Sequence, residues 1–217
     1  MAYKGGKETR VNSYTSGDQH MPAVAALKDG GWLVTWASEG EDGDQDGVYQ
    51  QRYDADGSRH GSEKHVSITT ADVQFEPAIT ALPNGGWVET WSSRDKLATS
   101  FEIYQRAYGA DGKPLGGETR VNTETAGEQS HSAVTALKDG GWVATWQTQS
   151  DHGDDFDIHQ RAYSNNGKPL GGEITVNTVA ASDQFDADVA ALKNGDWIVT
   201  WSSYGHQNDF RDRKSVV

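Results

Sequence analysis

The densest set of groups able to hold a cation is Asp42-Gly-Asp44-Gln-Asp46-Gly47, where carboxylates alternate along a short turn. Alternating Asp followed by Gly lets a tight loop wrap oxygen ligands around Ca²⁺. An EF-hand would place Glu at the twelfth position, where this chain has Tyr53, and would need flanking helices. The ninth position is Gln50, so backbone carbonyls or water would have to complete the shell. Asp42, Asp44 and Asp46 are therefore candidate calcium ligands, set against the plainer reading of an acidic turn.

Two further columns could contact a ligand. Gln19, Gln74, Gln129 and Gln184 stand 55 residues apart, and so do Trp32, Trp87, Trp142 and Trp197. A repeated amide either bonds loop backbone or donates to a ligand hydroxyl, and an indole either packs in a core or stacks on the apolar face of a sugar. Gly31, Gly86 and Gly141 precede three of the tryptophans and leave room for a sugar to approach. The seven histidines do not share this spacing. His20, His131, His152 and His206 fall in loops without the short spacing of a zinc site. No Gly-x-Ser-x-Gly elbow occurs, and carboxylates are too plentiful for sequence to single out a glycosidase pair.

The elements that position these residues come in four copies. Trp-x-x-x-Trp recurs at Trp32/Trp36, Trp87/Trp91, Trp142/Trp146 and Trp197/Trp201, and Glu8, Glu63, Glu118 and Glu173 keep the same period. The units run approximately 13–67, 68–122, 123–177 and 178–217 plus 1–12, within one domain spanning 1–217. Each unit holds four strand-like runs: PAVAAL, GWLVTWAS, GVYQQRY and a fourth such as GGETRVN, joined at two places by Asx-Gly turns. No run carries a 3.6-residue apolar period, so helices are not expected. The chain opens on a lone fourth-type strand, KETRVN, and ends within a third-type run, FRDRKSVV. That arrangement predicts an all-β fold: a four-bladed β-propeller of sixteen strands, closed by the N-terminal strand completing the last blade.

In such a fold the loop entering the first strand and the loop joining strands two and three share a face. Those loops vary between copies and carry Glu39, Glu41, Asp42, Asp44, Asp46, Asp151, Asp154, Asp155 and Asp157, so this face is the expected working face. The whole chain has 217 residues with 19 basic and 32 acidic side chains, a net charge of −13 that would be repelled by phosphate backbones. Nucleic acid is thus a poor partner, whereas cations and neutral ligands such as sugars stay open. There is no cysteine, no apolar leader and no run long enough for a spanning helix.

The string PAVAALKDGGWLVTWAS…GVYQQRYDADG…GGE…VN resembles a repeat found many times over in very large secreted bacterial proteins of the calcium-binding, adhesin-like kind. The resemblance implies an extracellular setting, export without an N-terminal signal, and roles in attachment or ligand display. A four-fold repeat spreads equivalent groups around a ring, whereas catalysis needs one asymmetric constellation. The expectation is therefore a non-catalytic module, monomeric or weakly oligomeric. It would bind carbohydrate or cell-surface glycan at several quasi-equivalent lectin-like or adhesive sites. The alternatives are a structural, calcium-binding spacer and a glycan-acting hydrolase.

Overall fold

The computed structural model describes residues 8–71, 73–94, 100–149, 155–178 and 183–204, together with the backbone of 212–216. It is all-β, and among the described residues there is no helix. Four sheets follow one another along the chain. The first holds β1 (Gln19–Ala26), β2 (Trp32–Glu39), β3 (Asp46–Tyr53) and β4 (Lys64–His65). The second holds β5 (Gln74–Ala81), β6 (Trp87–Ser93), β7 (Glu102–Tyr108) and β8 (Thr119–Arg120). The third holds β9 (Gln129–Ala136), β10 (Trp142–Gln149), β11 (Phe156–Tyr163) and β12 (Ile174–Thr175). The fourth holds three strands, β13 (Gln184–Ala191), β14 (Trp197–Ser203) and β15 (Asp212–Val216). Within each sheet the strands run antiparallel in sequence order, the meander of a propeller blade.

The turn chemistry sets the register of the first hairpin in every blade. Leu27 N–H donates to Gly31 O at 2.8 Å, and Gly31 N–H donates to Asp29 Oδ1 at 3.0 Å. Asn84, Asp139 and Asn194 accept the same bond in the other copies. Gly31 cannot be replaced without a shift, because a Cβ there would lie 2.3 Å from Tyr53 O of the neighbouring strand.

Each blade has two lateral faces, and alternation along its second strand assigns residues to them. Leu33, Thr35 and Ala37 look toward the following blade, as do Val88, Thr90 and Ser92, and Val143, Thr145 and Gln147; all nine are buried. Leu33 packs with Trp87 and Tyr108, Val88 with Trp142 and Tyr163, and Val143 with Val189 and Val199. The first tryptophan of each pair stacks on the last tyrosine of the third strand: Trp32–Tyr53 at 5.3 Å, Trp87–Tyr108 at 5.1 Å and Trp142–Tyr163 at 5.4 Å. Innermost strands also pack in succession, β1 on β5, β5 on β9 and β9 on β13.

The expected closure does not occur. Among the described residues no comparable packing joins β13 to β1. The flanks show the gap directly. Val24 on the first blade is 67% exposed, whereas its equivalent Val189 is buried against the third blade. On the last blade Thr200 is exposed, and Ile198 and Ser202 are only half-buried, where the corresponding residues of the other blades are fully covered. Among the described residues fifteen strands form, one short of the sixteen expected. Residues 8–12 are not a strand of the last blade; they lie beside the first, where the Arg59 guanidinium donates to Arg10 O and Val11 O and Glu63 accepts from the Ser13 backbone and hydroxyl. Lys7 and the residues before it lie outside the described set. The third-strand sequence of the last copy also departs from its siblings, with Arg213 at the position of Val48, Ile103 and Ile158.

One carboxyl group is sealed between the first two blades. Glu89 has no exposed surface and stands where the other copies have Val34, Ala144 and Val199. Burial pushes its pKa up to about 8, against the lowering influence of Thr35, Trp87 and Arg106. Thr35 Oγ1 lies 2.9 Å from Tyr49 O and 3.0 Å from Glu89 Oε2. A hydroxyl has one proton, so Thr35 donates to the carbonyl and accepts from a protonated Glu89, whose Oε1 accepts from the Trp87 indole at 3.0 Å. The folded pKa lies above the unfolded value of 4.5, so the folded form holds the extra proton and stability falls as pH rises from about 4.5 through about 8. Glu89→Gln reproduces the same donor and acceptor. It should leave the fold intact and remove this alkaline loss, so that by thermal melts the variant overtakes wild type above pH 8; a parallel decline in both proteins would refute the assignment.

Candidate functional site at the axial mouth

The inner strand of each blade carries a bulge near its start, with register breaks between His20 and Ala23, Phe75 and Ala78, and Phe185 and Asp188. At the centre of these bulges, and at the matching place in β9, four non-glycine residues adopt left-handed backbone: Met21 (φ 50°), Glu76 (53°), His131 (54°) and Asp186 (53°). Such a conformation costs on the order of 1 kcal/mol per residue and persists where surrounding structure imposes it. Here it turns four side chains, 55 positions apart, toward the axis. Together with Pro22, Pro77, Ser132 and Ala187 they line an open depression of about 440 Å³.

The four residues are chemically unlike. Glu76 is held by three donors: its Oε2 accepts from the His131 backbone N–H and from Ser92 Oγ, each at 2.9 Å, and its Oε1 lies 3.0 Å from His131 Nε2. The Asp186 backbone N–H donates to Gln147 Oε1 at 2.8 Å while the residue itself is exposed. The mouth therefore presents a clamped carboxylate with an imidazole on one side and, on a non-adjacent blade, a second carboxylate open to solvent.

The glutamine column lies two residues before each of these positions and works inward. Gln19, Gln129 and Gln184 accept through Oε1 from the indoles of Trp36, Trp146 and Trp201 at 3.1, 3.1 and 2.8 Å. Gln19, Gln74 and Gln129 donate through Nε2 to the carbonyls of Ser16, Ala71 and Ala126. These amides tie the second tryptophan to the loop entering the blade. The first tryptophan column packs between blades: Trp142 and Trp197 donate to Gln105 and Gln160 of the preceding blade, each at 2.8 Å, while Trp87 is buried and Trp32 half-buried on its tyrosine. Neither column reaches the depression.

The acidic turn is also internally engaged. Asp42 Oδ1 accepts from the Asp44 backbone, His65 Nε2 stands 3.5 Å from Asp42 Oδ2, and Asp46 Oδ1 lies 3.0 Å from His20 Nε2. This is a hydrogen-bonded turn facing two imidazoles, and among the described residues no group of three acids or histidines is placed to hold a metal ion. Beside it, burial and the neighbouring Glu63 push Glu41 up to about 7. Asp151, Asp154, His152 and His206 lie outside the described residues.

Glu76 and Asp186 were not singled out by type or spacing in the sequence, and His131 was expected, with His20, in a loop, whereas the two stand in β9 and β1. Their signal was disagreement: Met, Glu, His and Asp occupy one column two residues after an invariant glutamine.

No family model matches the sequence, and no curated protein does. Solved structures do share the fold. A Hadza microbial sialidase, Hz136, superposes with a TM-score of 0.64 at 10% identity over 91% of this chain. A Penicillium chrysogenum α-L-arabinanase complexed with arabinobiose gives 0.63 at 16% over 94%, and a Bacteroides thetaiotaomicron endo-arabinase 0.56 at 15% over 95%. The chain spans 44% of the sialidase, 63% of the arabinanase and 78% of the endo-arabinase.

These findings overturn the expectation of a non-catalytic, lectin-like or adhesive module. The fold is shared with proteins that cleave glycosidic bonds, and the argument from four-fold repetition fails at the axis. Repetition governs the frame, but of the two positions per blade that line the depression, the left-handed one differs in every copy.

The glutamine network yields a stability test. Gln129→Ala removes a buried acceptor shared by Trp146 and Thr148 and a donor to Ala126. It should lower unfolding free energy by roughly 2–3 kcal/mol in urea titrations. A change within error would show that the column is not an anchor.

Proposed function

We propose that this chain acts on glycans as a glycoside hydrolase, with the axial mouth as its active site. The observation that carries the reading is the asymmetric set Glu76, His131 and Asp186 around one depression, built on strained backbone. Glycosidic bonds are cleaved by two carboxyl groups flanking the bond: one protonates the departing oxygen, and the other activates water or attacks the anomeric carbon. Glu76 is oriented by Ser92 and by two contacts from His131, which suits the group that must be held in line with the anomeric carbon. Asp186, exposed and on another blade, suits the acid that meets the leaving oxygen from the solvent side. His131 fixes the Glu76 carboxylate and closes one wall.

Fold likeness to an arabinanase, an endo-arabinase and a sialidase supports testing arabinan, arabino-oligosaccharides and sialosides first. Substrates of polymer size would place the activity outside the cell, in line with the setting implied by the repeat resemblance.

The test is turnover of that panel, with the products' anomeric configuration followed by NMR. Glu76→Gln and Asp186→Asn should each lower kcat/KM by about 10²–10⁴-fold while the circular dichroism spectrum and melting temperature stay close to wild type. Cleavage that persists at wild-type rates in both variants would remove the mouth from the mechanism. Absence of turnover on every glycan tried would count against the reading as a whole.

A further inference from the structure

The junction between the first two blades departs from the later ones in a cluster of polar side chains. Arg52 stands where the next two copies have Ala107 and Ala162, and Lys64 where they have Thr119 and Ile174. His60 replaces Leu115 and Leu170, and Ser62 replaces Gly117 and Gly172. All four line one cleft of about 40 Å³, together with Gln50 and Gly112. It shares no lining residue with the axial mouth. It lies at the hairpin end of the blades, where Trp87 pairs with Ala81, whereas the axial bulge sits at the start of β5.

The frame leaves a polar group unsatisfied at this cleft. Gln105 and Gln160 accept from the indoles of Trp142 and Trp197 on the following blade, each at 2.8 Å. Gln50 is their counterpart and Trp87 the matching indole, but Trp87 donates instead to Glu89 at 3.0 Å. Gln50 is 3% exposed, and neither its Oε1 nor its Nε2 has a hydrogen-bond partner. The Tyr108 hydroxyl beside it makes no hydrogen bond either. Buried amides are otherwise nearly always satisfied, so an open donor and acceptor here point to a group that enters the cleft.

The charges around the cleft define that group. The Arg52 guanidinium is fixed by Asp29 at 2.6 Å and by Ala110 O at 3.1 Å, and its Nε is buried without a partner. Lys64 is exposed and makes no ion pair among the described residues. The two cations converge over Gly112. A Cβ placed there would lie 3.7 Å from Arg52 Nη1, 3.9 Å from Lys64 Nζ and 3.5 Å from Trp87 Cη2. At the equivalent Gly57 and Gly167 only the tryptophan comes within 4 Å. Donors at Lys64, Arg52 and Gln50 Nε2 suit the oxygens of a carboxylate. Gln50 Oε1 needs a donor in turn, which a hydroxyl next to that carboxylate supplies. We propose that this cleft is a second binding site, for the carboxylate end of a polyhydroxylated acid of the sugar-acid class. The carboxylate sits between Arg52 and Lys64 over Gly112, and its neighbouring hydroxyl closes the Gln50 amide.

Titration of the isotope-labelled chain with sodium D-glucuronate, followed by NMR, tests this. The Gln50 side-chain amide and the Gly112 backbone amide should shift together and saturate, and D-glucose should leave both in place. Arg52→Ala and Lys64→Thr install residues that later copies carry at these positions, so both should keep the wild-type circular dichroism spectrum. Each should raise the Kd for glucuronate about tenfold or more. An oligogalacturonate that binds more tightly than the monomer would support an acidic glycan chain as the source of the carboxylate, and equal affinity a free sugar acid. Glucuronate that moves neither resonance overturns the proposal. So does an equal response to glucose or to inorganic phosphate, or wild-type affinity in both variants.

Discussion

A blade of this protein is a thin sheet with two apolar sides, and neither side can face water without cost. Everything else follows from how each side is covered. Leu33 and Val88 settle onto the stacked tryptophan and tyrosine of the following blade, and Val143 packs on Val189 and Val199. Burial of this kind contributes roughly 25 cal/mol per Å² of apolar surface, so three junctions of matched side chains are the main source of order in a chain with few aliphatic residues. The Asx-Gly turns and the Gln19-type anchors hold the strands in the register that keeps those sides matched. The position of Glu89 shows how tightly the junction is sealed, since an acid enclosed there keeps its proton at neutral pH.

Much of this was written in the sequence, because periodic features report periodic structure. The 55-residue spacing of Trp-x-x-x-Trp gave the blade count, and the alternation in GWLVTWAS gave a two-sided strand. The turns KDGG and PNGG gave the hairpins. Closure was not legible. It depends on whether the last blade reaches the first, which is a matter of angle between sheets and not of any residue type. The Trp and Gln columns illustrate a different limit. Invariance across copies marks what the frame needs, and Gln129, bonded to Trp146, Thr148 and Ala126, is needed by the frame.

The axial residues were hidden for the opposite reason. A search for repeated chemistry passes over a column that reads Met, Glu, His, Asp. What singles out position 21 and its counterparts is backbone geometry, the left-handed turn inside a bulge, and that is invisible in composition. Clamping also has to be seen in space. Ser92 and His131 reach Glu76 from 16 and 55 residues away, and no local motif joins them.

The bulge has one more consequence. Four different side chains occupy it with φ between 50° and 54°, so the backbone path there is dictated by the strands around it and is indifferent to what it carries. Each position is in effect a socket. A single base change in the gene can swap the group that faces the axis while the sheet, the turn and the neighbouring blade stay where they are. A lineage descended from such a chain could therefore explore new chemistries at its centre one blade at a time, without first having to solve the folding problem again.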